Sequence, residues 1–138
     1  MTYGNLLNRI DENRCYKLDF VPTVGMGATE YLWSDRRAHS VCEYFPNWNN
    51  KGFEIVGLKR DIATRLDTNG MSDDQEYAFT TNTDARVSYL RSTFYNHPKL
   101  GKVKIYEPVH FNEKSKRWNK GGDNLVIGNR SEYHDYSF

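Results

Sequence analysis

The chain has 138 residues, a formal net charge of +1 and aromatic side chains at 14% of positions. That is the size of one folded domain, and its balanced charge points to neither a polyanion nor a membrane surface as a partner. Cys15 and Cys42 are too few for a disulfide scaffold and lack the C-x-x-C spacing of zinc or thioredoxin-like motifs. No stretch approaches the roughly 20 apolar residues that span a bilayer, and residues 1–7 lack a basic region followed by an apolar run. Reduced thiols, a cytoplasmic location and no membrane partner are the expectations.

Taken in chain order, residues 4–14 place Leu6, Leu7 and Ile10 on one side with Asn5 as a possible N-cap, which predicts a short helix. From Tyr16 the signals become those of strands. Segments 16–21, 29–33, 38–45 and 53–60 are rich in aromatic and β-branched residues, with turn residues between them. Gly25-Met26-Gly27 punctuates one gap, and 46–52, Pro-Asn-Trp-Asn-Asn-Lys-Gly, reads as a hairpin loop. The Asn69-Gly70 pair predicts a turn, because both residues tolerate positive φ.

Further strands are predicted at 76–81, 86–94, 102–109 and 124–127. In two of these, Val87/Tyr89 and Val103/Ile105 alternate with polar neighbours, as on a half-exposed sheet. The aromatic tail 129–138 is expected to dock as a last strand. No internal repeat or linker interrupts the series. The reading is a mostly β single domain over 1–138, a small antiparallel barrel or a strongly bent sheet with at most one short N-terminal helix.

Four segments carry candidate chemistry. Around Trp33-Ser34-Asp35-Arg36-Arg37-Ala38-His39, two guanidiniums beside an indole suit an anion or a base, since arginine offers a planar fork of donors and stacks on rings. The plainer alternative is a turn in which Asp35 caps backbone amides and Trp33 anchors the core. Ser34, Asp35 and His39 lack any nucleophile context, so no catalytic residue is named. Gly25-Met26-Gly27 lacks the third glycine of a dinucleotide fingerprint and the ending of a P-loop, and reads as a turn.

Residues 61–76 hold Asp61, Asp67, Asp73, Asp74 and Glu76 against Arg65 alone. A divalent cation suits clustered carboxylates, yet the spacing does not fit a calcium loop, so a solvated acidic loop is the competing reading and no metal ligand is assigned. Residues 99–120 carry seven basic side chains against Glu107 and Glu113. Lys102, Lys104, Tyr106, Lys116, Arg117 and Trp118 interleave charge with rings, as on a surface that neutralises phosphates and stacks bases; the alternative is a lysine-solubilised sheet face. His39, His97, His110 and His134 show no metal-binding spacing and read as surface or turn residues.

The set Gly25-x-Gly27-Ala28-Thr29-Glu30, Trp33-Ser34-Asp35-Arg36, Asp67-x-Asn69-Gly70-x-Ser72 and Ile127-Gly128-x-Arg130, closing on Ser137-Phe138, resembles small proteins of tailed bacteriophages and prophages. The resemblance implies no activity and no site residues. What it implies is a setting, in which such a protein acts on the host by binding a host protein, a nucleic acid or a nucleotide. Three readings follow in order. The first is a non-enzymatic binding protein, in host takeover or anti-defence, that recognises a host protein or an anionic small ligand such as a nucleotide through Trp33, Arg36, Arg37 and His39, without a cofactor. The second is a nucleic-acid-binding barrel using the basic segment, and the third a metal-dependent hydrolase or nuclease using the acidic one.

Overall fold

The computed structural model describes residues 12–67 and 75–134. The fold is mostly β. Seven strands form one antiparallel sheet: β1 (Gly27–Tyr31), β2 (Arg36–Phe45), β3 (Ile55–Arg60), β6 (Val87–His97), β7 (Gly101–Asn112), β8 (Arg117–Lys120) and β9 (Leu125–Ile127). Their order is β8-β7-β6-β3-β2-β1-β9, and β4 (Ile62–Arg65) and β5 (Tyr77–Thr80) pair as a separate two-stranded sheet. The large sheet stays open, with β8 and β9 as its edges, so it is not the closed barrel that was one of the two expected forms. Both edge strands are short, which limits the unpaired backbone they present.

The core covers one face of the sheet. Ala28, Val41, Val56, Leu58, Leu90, Leu125 and Ile127 are buried together, with Tyr16, Phe20, Tyr44 and Tyr106 packed against them. Each large aliphatic side chain there contributes roughly 1.5–3 kcal/mol by leaving water. Gly57 lies in the middle of β3, where a Cβ would meet Glu43 Cβ and Val87 Cγ1 at 3.1 Å and Tyr89 Cε1 at 3.2 Å. Its neighbours on β2 and β6 already fill that space, which explains a glycine where propensity disfavours one.

Several expectations change. Residues 16–21 form no strand: Tyr16 makes a single bridge to Lys104, and the chain then turns, Phe20 N–H donating to Lys17 O at 3.0 Å. The rings of Tyr16 and Phe20 stack at 4.6 Å and meet Tyr106 edge-on, so their aromatic character serves packing rather than a ladder. Strands β4 and β8 were not anticipated. The predicted helix falls mostly outside the described residues, which begin with a 3₁₀ turn at Glu12–Arg14. The Asn69-Gly70 turn also lies outside them.

The loop at 46–52 is as expected, with a 3₁₀ turn at Trp48–Asn50 and positive φ at Asn49 and Asn50. Of the tail, residues 129–134 are described, and Tyr133 bridges Arg36. His39 is buried, not a surface residue. Among the described residues no helix is long and apolar enough to cross a membrane.

Candidate functional site

Strands β1 and β2 form a hairpin whose turn closes with Leu32 N–H donating to Asp35 O at 3.0 Å. The turn projects Trp33 into solvent, where it is 95% exposed, with Tyr31 and Leu32 exposed beside it. Trp33 therefore anchors no core. Arg36 and Arg37, the first two residues of β2, are both exposed. As successive strand residues they point to opposite faces, so they do not form one fork for a single anion.

Arg36 places its guanidinium 5.1 Å from the Tyr133 ring centroid, in cation–π contact. Arg37 lies opposite Glu30 in the register and makes no ion pair with a described residue. His39, the fourth expected member, is inside: its Nε2 meets Glu30 Oε1 at 3.1 Å, and its Nδ1 is buried without a hydrogen-bond partner among the described residues. Burial pushes the imidazole below its ordinary value, against the opposing pull of the Glu30 carboxylate. The structure thus gathers Trp33, Arg36 and Arg37 around a protruding tip and places His39 behind them.

A polar clamp ties the C-terminal segment to the hairpin base. Glu132, with its side chain wholly out of solvent, accepts two hydrogen bonds of 2.8 Å from Arg60, one of 2.9 Å from the Ala38 N–H, and contacts His134 Nε2. Asp61 accepts from Ser40 Oγ at 2.7 Å and pairs with Arg130 Nε at 2.9 Å. His134 Nδ1 also lies 3.7 Å from Asp35, linking the clamp to the turn. Sequence reasoning did not flag Arg60, Glu132 or Arg130 for this role; isolated charges on separate strands carry no spacing signal.

The basic segment is divided. Lys102, Lys116 and Arg117 are exposed, Lys102 lying 4.8 Å over the Phe94 ring. Lys104 is buried, paired with Glu54 at 2.7 Å, and its Nζ also donates to Phe20 O. Tyr44 and Tyr106 hydroxyls each donate to Glu54 Oε1 at 2.9 Å. Trp118 is half-buried in a second aromatic cluster with Trp48, Phe111 and Tyr89, its indole N–H without an acceptor among the described residues. The six residues therefore do not make one phosphate-facing surface: Lys104 and Tyr106 belong to the interior.

Of the acidic segment, Asp61 is engaged by Arg130 and Asp67 by Arg65, whose Nη2 lies 2.9 Å away. Asp73 and Asp74 lie outside the described residues. Among the described residues no group of three or more His, Cys, Asp and Glu is placed to hold a metal ion. Cys42 is a free thiol.

Comparison with protein families, curated proteins and solved structures found no match.

Proposed function

We propose that the protein is a non-enzymatic binding protein that grips a host protein through the tip of the β1–β2 hairpin. The observation that carries this reading is Trp33, an indole left 95% in water at the end of the β1–β2 hairpin. Tryptophan, tyrosine and arginine are enriched at interface hot spots, tryptophan because it brings a large rigid contact area at modest entropic cost and arginine because its planar guanidinium stacks and forms several hydrogen bonds. Tyr31 and Leu32 widen the apolar patch.

The flanking Arg36 and Arg37, directed to the two sides of β2, suit an apolar socket edged by carboxylates. A protruding indole does not enclose a small ligand, which favours a protein partner over a free nucleotide at this tip. The likeness of the Gly25-to-Phe138 pattern to small phage proteins supports a phage-encoded role in the host cytoplasm, in takeover or anti-defence.

The test compares capture from host lysate by the wild-type chain and by Trp33→Ala, followed by titration with the purified captured species. A species bound by the wild type and weakened at least tenfold by the substitution supports the reading. Equal binding by both chains overturns it.

A further inference from the structure

On the sheet end away from the hairpin tip's chemistry, a cleft of about 600 Å³ opens between the 46–52 loop and the β7–β8 turn. Its volume lies within the roughly 300–1,000 Å³ of small-molecule sites. Phe45, Pro46, Trp48 and Phe111 supply apolar walls, while Asn49 and Lys116 supply the polar groups used below. The aromatic walls brace one another: Trp48 meets Phe45 at 5.2 Å, Phe111 at 6.1 Å and Trp118 at 5.3 Å between centroids. The loop is pinned as well, with Gly52 N–H donating to Asn47 Oδ1 at 2.7 Å and Trp48 N–H to Phe53 O at 2.8 Å.

Backbone strain concentrates at this cleft. Among the described residues, the non-glycine positions with positive φ are Asn49, Asn50 and Lys116, and two of them line it. Asparagine tolerates that conformation; lysine, with no short polar side chain to bond locally, does not. The β7–β8 turn closes with Lys116 N–H donating to Asn112 O at 2.7 Å, at a φ of 58° that suits glycine. A lysine kept at such a position, beside an aromatic wall, indicates use of its ammonium. Its pairing with Glu113 at 3.2 Å joins two side chains that are 71% and 80% exposed, so it yields readily to a better anion. The Asn49 amide makes no hydrogen bond with a described residue and is available to the edge of a planar ring.

We propose that this cleft binds a nucleotide, its base stacked on one of the Trp48 and Phe111 rings and edge-on to the other, since the two meet at 67°, its polar edge met by Asn49 and its phosphate held by Lys116. Stacking on aromatic side chains tolerates any base, and a single ammonium serves as a point charge for phosphate. The nucleotide is either free or one residue of a single strand; the site's chemistry is the same for both.

The experiment is calorimetric titration of the whole chain with AMP, adenosine, inorganic phosphate, a single-stranded oligonucleotide and a proline-rich peptide. Lys116→Gly and Asn49→Ala are the variants, and a thermal melt of each checks folding. The expected result is AMP binding that exceeds both adenosine and phosphate at least tenfold and falls about tenfold in Lys116→Gly, whose melt stays at or above wild type. A strand that binds tenfold tighter than AMP, with affinity falling steeply with salt, identifies the strand as the source; equal affinities identify the free nucleotide. No binding of AMP or strand at millimolar concentration, adenosine equal to AMP, binding by the peptide alone, or affinity unchanged in Lys116→Gly overturns the proposal.

Discussion

Arg60 and Glu132, 72 positions apart, meet through two parallel hydrogen bonds of 2.8 Å, Nη1 to Oε1 and Nη2 to Oε2. The carboxylate is fully enclosed while the guanidinium keeps 30% of its side chain in solvent. Because Glu132 also accepts from the Ala38 N–H, one side chain fastens the C-terminal segment to both β2 and β3. Glu132→Ala leaves the Ala38 N–H without its acceptor and the Arg60 guanidinium with only the Ala38 and Asp61 carbonyls and no counter-charge, and we expect a loss of about 3 kcal/mol. Urea denaturation measures it. Replacing both partners by methionine is expected to cost less than Glu132→Ala alone, since no half-buried charge is then stranded.

His39 makes stability depend on mild acid. Burial lowers its folded-state pKa, so below the ordinary histidine value of about 6.5 the unfolded chain takes up the proton first. Stability is fully present above that value and declines as the pH falls from it toward the folded-state pKa. His39→Gln, with no proton to bind, is expected to flatten that stretch of the profile. Unfolding midpoints of both chains, followed from neutral pH down through the ordinary histidine value of about 6.5, give the comparison; parallel curves refute the assignment.

At the alkaline end the phenols around Glu54 act. Burial, with the Glu54 carboxylate adding to it, pushes Tyr44 up to about 12 and Tyr106 upward as well. Burial likewise pushes Tyr16, whose hydroxyl donates to Ile127 O, up to about 12. A raised folded-state pKa means stability complete below the unfolded value of about 10 and lost as the pH climbs through the folded one. Ultraviolet titration is expected to show these phenols ionising together with unfolding, and Tyr106→Phe to reduce the steepness of the alkaline loss.

Trp33→Ala is expected to leave folding stability within about 0.5 kcal/mol of wild type, because the indole is bathed in water and touches no core residue. Chemical denaturation checks this directly. A larger loss shows that Trp33 supports the fold, and removes the ground for reading it as a contact held for a partner.

Strand content was legible where apolar and polar residues alternate over a long run. β6 and β7 were found that way, since Val87/Tyr89 and Val103/Ile105 mark one face. β4 and β8 escaped because IATR and RWNK hold few apolar residues and sit among charged ones, whereas the equally short β5 and β9, YAFT and LVI, are mostly apolar and were anticipated. Residues 16–21 misled for the opposite reason, their rings being apolar for packing against Tyr106 while the backbone turns. Of the candidate site, the Trp-Arg-Arg run was visible as a dense polar and aromatic cluster. That His39 leaves it for the interior was not, because alternation along β2 only assigns a face, and which face is covered depends on β9 and the core.

Taken alone, the amino-acid order determined a β-rich chain, its principal turns, and two segments of opposite charge, since these depend on local propensity and on counting. Only the tertiary structure decided which charges are free. Lys104 looked like its neighbours Lys102 and Lys116 until the sheet brought Glu54 to within 2.7 Å of it. Glu132 and Asp61 resembled any surface acid until chain segments remote in sequence delivered Arg60 and Arg130. The physical reason is that a charge's energy is set by its solvation and its nearest partner, and both are properties of distance in space rather than separation along the chain.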